Sequence, residues 1–222
     1  VKALSLLALL CLAACGGGGG GAGGASFAPV AAAPMPPTKQ APAAPDCSVA
    51  LYGDSIMAGY VMDGSRLAEP PAAALKRLRP AYRIVDHSAA GETANARMAT
   101  FVNDTPGTRL VVLEDGMNDA TLQLAYEQPL RTMVQRAKAL AATPIVTGLS
   151  HTRAGAVPLR DAYDQVARSV AADEGAVFAD WGAVRFDAAD MADDVHPAQA
   201  YSTRLVEQLA AALDRAAPEC AP

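Results

Sequence analysis

Five short apolar, β-branched runs recur at intervals along the chain, at residues 49–52, 82–85, 110–113, 144–147 and 176–178. Each is followed by small or polar residues, and between them lie stretches with helical spacing of apolar positions, at 67–79, 94–101, 120–142, 159–173 and 197–216. Runs of this length fit buried strands, and their alternation with helices restricts the fold sharply. Parallel strands need long crossover connections, those crossovers are right-handed, and the helices they contain cover the sheet. The expected fold is therefore α/β: a three-layer α/β/α sandwich with a five-stranded parallel sheet of flavodoxin-like type. In such a sheet, ligands bind beyond the carboxyl ends of the strands, where the strand order reverses.

The polar residues that follow the strands mark that rim. Ser55 comes just after the first run, where a strand turns into a helix and backbone N–H groups are free. Asp193 and His196 are three residues apart after the fifth run, a spacing that lets one loop aim a carboxylate at one imidazole nitrogen while the other faces a nucleophile. An alkyl hydroxyl is a poor nucleophile at neutral pH, so a serine needs such a base. His87 and His151 also follow strands and are secondary candidates for the cleft, though neither has an aspartate three residues before it. Glu114 and Asp115 read as solvated loop charges, and Asp54 and Asp119 as helix caps or turn residues. No Cys/His/Asp cluster has metal-ligand spacing, so neither a metal nor another cofactor is expected.

Four segments together carry a family resemblance: Gly53-Asp54-Ser55 with Gly59, Ala90-Gly91-Glu92-Thr93, Gly116-Met117-Asn118-Asp119, and Asp193-Asp194-Val195-His196. In this order, each after a strand, they resemble the blocks of the SGNH, or GDSL-type, esterase and lipase superfamily. The resemblance implies Ser55 as nucleophile, His196 as general base and then acid, and Asp193 as the residue that fixes the imidazole tautomer. It also implies an oxyanion hole made of the N–H groups of Ser55 and Gly91 and the side-chain amide of Asn118. Two departures stand out: Asp86 and Ser88 replace the Asn and Gly common in the second block, and Asp194 adds a second carboxylate beside Asp193.

The first 15 residues have a different character. Lys2 precedes an apolar stretch, 4–14, too short for a bilayer span of ~20 residues, and reads as an export signal. Its end, Leu12-Ala13-Ala14-Cys15, resembles the lipobox of bacterial lipoproteins, which implies lipidation of Cys15; the alternative is ordinary cleavage at small residues. Residues 16–46 are rich in Gly, Ala and Pro without apolar periodicity and read as a tether. The hydrolase domain is expected over 47–222. Cys47 and Cys220 bracket it and would form a disulfide in an oxidising compartment if the two ends meet; otherwise they are two free thiols.

A net charge of −5, without a basic stripe, argues against nucleic acid as a partner. The expectation is a monomeric enzyme anchored by lipid at the bacterial envelope, facing the periplasm or the cell surface. Its expected reaction is hydrolysis of carboxylic esters through an acyl-enzyme. Short connecting segments leave little chain for a lid or tunnel, which favours short acyl groups such as acetyl, on a small molecule or a polysaccharide. Lysophospholipase, thioesterase or acyltransferase activity and a non-catalytic envelope binding module are the alternatives. A flavodoxin-like nucleotide binder lacks the expected G-x-G-x-x-G loop after the first strand.

Overall fold

The computed structural model describes residues 44–222. The export signal, Cys15 and all but the last three residues of the tether lie outside the described residues. Five strands, β1 (Ser48–Gly53), β2 (Arg83–Asp86), β3 (Leu110–Glu114), β4 (Thr143–Thr147) and β5 (Val177–Ala179), form one all-parallel sheet in the order β2-β1-β3-β4-β5. The centre of the sheet is apolar because it is covered on both faces: Val49, Ala50, Leu51, Leu110, Val111, Val112, Ile145 and Val146 are fully buried. β2 departs from the expected set of buried strands. It is one of the two edges of the sheet, and Arg83, Val85 and Asp86 are exposed on it.

Seven α-helices follow the alternation: α1 (Ser55–Ala58), α2 (Pro71–Leu78), α3 (Ala94–Phe101), α4 (Met117–Leu122), α5 (Glu127–Ala139), α6 (Arg160–Glu174) and α7 (Gln199–Ala216). The step from β1 to β2 runs one way along the sheet and every later step runs the other. Right-handed crossovers therefore place α2 on one face and α3, α5 and α6 on the other. α7 returns to pack against α2. The second helix begins later than its apolar spacing suggests, because Pro71 occupies its first position, where a missing N–H costs nothing.

The stretch 120–142 is two helices, not one. Gln123 adopts a left-handed conformation (φ 56°), and the Leu124 N–H closes the end of α4 on the carbonyl of Asp119 (2.9 Å). The chain turns there to bury Tyr126, whose hydroxyl donates to the carbonyl of Asp115 at 2.8 Å. α5 then restarts with Leu130, Met133, Val134 and Ala137 buried on one face. At the opposite end of the sheet from the polar rim, a disulfide joins Cys47, just before β1, to Cys220, just after α7.

Candidate active site

Ser55 is the first residue of α1, two residues past the end of β1. The connection is tight because Gly53 pairs with Glu114 of β3, and the Glu114 side chain folds beneath it. A Cβ on Gly53 would overlap the Glu114 carboxylate and stand 2.6 Å from the Cβ of Met57. Asp54 then caps α1, accepting from the N–H of Ile56 at 2.8 Å, and its own N–H donates to Glu114 Oε2 at 3.1 Å. These contacts turn the Ser55 side chain out of the core.

Asp193 and His196 arrive from the long loop after β5. An isolated antiparallel bridge between Met191 and Pro197 closes the turn that holds them. Arg153 braces it from the loop after β4, donating to the carbonyls of Asp194 (2.9 Å, from its N–H) and Met191 (3.1 Å) and pairing with the Asp194 carboxylate at 3.3 Å. The structure brings Ser55 Oγ to 2.9 Å from His196 Nε2, and His196 Nδ1 to 3.0 and 2.9 Å from the two oxygens of Asp193. A carboxylate on Nδ1 assigns the proton to that nitrogen, so Nε2 is left as an acceptor for the serine hydroxyl.

The Asp193 carboxylate is pinned from several directions. It accepts from the backbone N–H groups of Val195 and His196, both at 2.8 Å, and from Met62 at 2.9 Å. Partial burial would raise its pKa, but the N–H groups of His196, Met62 and Val195, with the imidazole, outweigh that and hold it at about 2. It is therefore an anion across the neutral range.

Gly91 follows β2 with φ at +80°, in open space, and neither its N–H nor that of Ser55 has a hydrogen-bond partner among the described residues. Asn118 lies in the first turn of α4. Its amide donates to the carbonyl of Glu92 at 2.8 Å and, at a longer 3.3 Å, to Asp54 Oδ2. Ser55, Gly91, Asn118 and His196 line one cleft of about 340 Å³ together with Tyr60, Val61, Met62, Gly64 and Ala90. His87 is elsewhere, stacked on Tyr52 with ring centroids 4.7 Å apart. His151 hydrogen-bonds through Nε2 to the carbonyl of Gly182 (2.8 Å) and lines a separate cavity with Arg153 and Arg160.

Glu114 and Asp115 are not solvated loop charges. They are 5 % and 3 % exposed and lie with Asp54 and Asp119, both fully buried, behind the serine turn. Arg97, also buried, donates to the carbonyl of Gly53 at 2.9 Å and is the cation that acts on Asp54 and Asp115. Burial raises the pKa of Asp54, opposed by the Ile56 N–H, while Asp119 adds to the rise. Burial raises Glu114 as well, with repulsion from Asp54 and Asp115, and takes Asp115 up to about 8 against the pull of Arg97. Asp119 caps a helix other than its own: both of its oxygens accept from the N–H of Ala94, the first residue of α3, at 3.1 and 3.0 Å.

A family model described as GDSL-like lipase/acylhydrolase matches residues 51–217. The chain belongs to that family. No curated protein matches it in sequence. Among solved structures, this GDSL chain is similar to TesA, with 28% identity, a TM-score of 0.64, and coverage of 76% of this chain and 98% of TesA. It also shares its fold with Axe2, an acetylxylan esterase from Geobacillus stearothermophilus, at 19% identity and a TM-score of 0.59, over 75% of this chain and 93% of Axe2. Family membership makes the protein a hydrolase of the GDSL type, and the two neighbours share its fold. The residues missed by sequence reasoning are Met62, which reaches Asp193 through its backbone, and the brace Arg153. Neither has a motif, because a backbone N–H belongs to every residue but proline and a brace is defined only by what the loops bring near it.

Proposed function

We propose that the protein is a serine esterase that cleaves short-chain acyl esters through an acyl-enzyme. The observation that carries this reading is the continuous chain of contacts from Ser55 Oγ through His196 to Asp193. Ser55 attacks the ester carbonyl as His196 Nε2 takes its proton. Asp193 keeps the imidazolium oriented and stabilises its charge. The unpaired N–H groups of Ser55 and Gly91 meet the oxyanion, and Asn118 joins them by exchanging its long bond to Asp54 for the developing charge. His196 returns the proton to the leaving oxygen, and the same base then activates water against the acyl-enzyme.

The small volume of the cleft, about 340 Å³, with Ala90 and Gly91 in its lining, supports a small acyl group over a long chain. Export with lipid attachment at Cys15 is part of the same proposal. It rests on the leader 1–15, and the Cys47–Cys220 disulfide suits an oxidising compartment outside the cytoplasm.

The test is labelling with a serine-directed fluorophosphonate, followed by peptide mapping and an acetyl-ester assay. Labelling on Ser55 with turnover, both abolished by Ser55→Ala, is expected. A native, folded protein that neither labels nor turns over any ester would favour the non-catalytic binding module.

A further inference from the structure

The segment between α1 and α2 makes a small preformed lip on the cleft. It leaves α1 at Gly59, whose left-handed φ of +77° closes the helix, and returns at Leu67, whose N–H donates to the carbonyl of Gly59 at 2.9 Å. Within it, the Val61 N–H donates to Ser65 (3.0 Å) and the Gly64 N–H to Val61 (2.9 Å), while Tyr60 and Arg66 form an antiparallel bridge. Arg66 Nε donates to the carbonyl of Ala58 at 2.8 Å and its guanidinium lies over the Tyr60 ring, 5.1 Å from the centroid. Such a network holds the lip in one shape without a partner. Its crest is nevertheless apolar and open to water: Tyr60 is 37 % exposed and Met62 69 %, and with Val61 they line the cleft that contains Ser55. Large exposed apolar side chains beside a nucleophile mark a binding surface.

The lip has a defined side. Met62 donates its N–H to Asp193, the carboxylate that holds His196, so the lip adjoins the Asp–His half of the triad. Gly91 and Asn118, the oxyanion candidates, come from the loop after β2 and from the first turn of α4 after β3. In a tetrahedral intermediate the leaving oxygen must face the imidazole that protonates it, and the rest of the leaving group extends past that imidazole. Building on the esterase reading, we infer that Tyr60, Val61 and Met62 form the leaving-group subsite, which takes the apolar body of an aryl or alkyl alcohol esterified with a small acyl group.

The experiment compares two ester series with wild type, Met62→Ser and Met62→Leu. Both variants keep the N–H that Asp193 accepts. The first series is of phenyl acetates matched in phenol acidity but differing in meta-alkyl area, so rate differences report binding and not leaving ability. The second lengthens the acyl chain on one fixed phenol. For wild type, kcat/KM is expected to rise about tenfold for roughly 50 Å² of added apolar area on the alcohol. Met62→Ser should cut that gain to less than about threefold and Met62→Leu should retain it, while the acyl series keeps the same profile in all three. Equal gains in wild type and Met62→Ser, or a uniform loss across both series, would overturn the subsite while leaving the esterase intact. Absence of turnover together with absence of Ser55 labelling would overturn the esterase reading and the subsite with it.

Discussion

Asn118 has two N–H groups, and both have acceptors in the structure: the Glu92 carbonyl at 2.8 Å and Asp54 at 3.3 Å. In the proposed esterase mechanism, an oxyanion forming on substrate would compete for the longer bond, its charge concentrated on one oxygen. Asp54 then has a positional role beyond capping α1, since it holds the amide near the serine turn until the charge develops. Removal of one oxyanion donor typically costs ~10²–10³ in kcat. Asn118→Ala is therefore expected to lower kcat by about that factor with a small change in KM, because the donor acts in the transition state. It should leave Ser55 as the site of covalent labelling. A steady-state comparison checks this, and a loss confined to KM would place Asn118 in ground-state binding instead.

At the scale of elements, the site is assembled from connections and not from strands. The lip after α1 is held by bonds within its own residues, whereas the turn holding Asp193 and His196 and the break between α4 and α5 are set by tertiary contacts that override local helix or strand preference. The break is instructive: α4 could have continued, yet burial of Tyr126 and its bond to Asp115 turn the chain, and Gln123 takes a left-handed backbone to allow it. Only glycine adopts that region without a side-chain penalty. Gln123 is exposed, so Gln123→Gly is expected to stabilise the fold by about 0.5–1 kcal/mol, seen as a rise of roughly 1–4 °C in Tm for a domain of this size. Lower thermal stability of the variant would show that the Gln123 side chain or the entropy of the unfolded glycine outweighs the relieved strain.

Across the whole molecule, the buried acids set the pH dependence of stability. Asp54, Glu114 and Asp115 have raised pKa values, so between about pH 4 and 8 the folded chain binds more protons than the unfolded one, and stability falls as pH rises through that window. Asp193 acts with the opposite sign. Its pKa is lowered to about 2, so its contribution is present above its ordinary value of 3.8 and is lost as pH falls below it. The melting temperature should therefore be highest near pH 4–5 and several degrees lower at pH 8.5. Among the described residues neither carboxylate oxygen of Asp115 has a hydrogen-bond partner, so Asp115→Asn, which removes the ionisation, should flatten the alkaline decline. Thermal melts from pH 4 to 9 test this; a wild-type curve that rises toward pH 8.5 would place the acids in a better compensated environment. The disulfide adds a contribution independent of pH in this range, typically ~2–4 kcal/mol, by tying together ends that are 173 residues apart.

Alternation of apolar runs and helical spacing determined the fold class, because a parallel sheet covered on both faces is the arrangement that buries such strands. The order of Ser55, Asp193 and His196 pointed to one rim for the same reason: each follows a strand, and all strands run the same way. Which residues flank them was decided only in three dimensions. Glu114 and Asp115 look like rim charges when read along the chain, yet the register of β3 against β1 places them under the serine turn. Met62 bears no mark of its function, since what it offers Asp193 is a backbone N–H whose direction exists only after the lip has folded. Composition and periodicity record which faces are apolar, whereas the aim of a donor or an acid depends on loops whose shape is set by distant contacts.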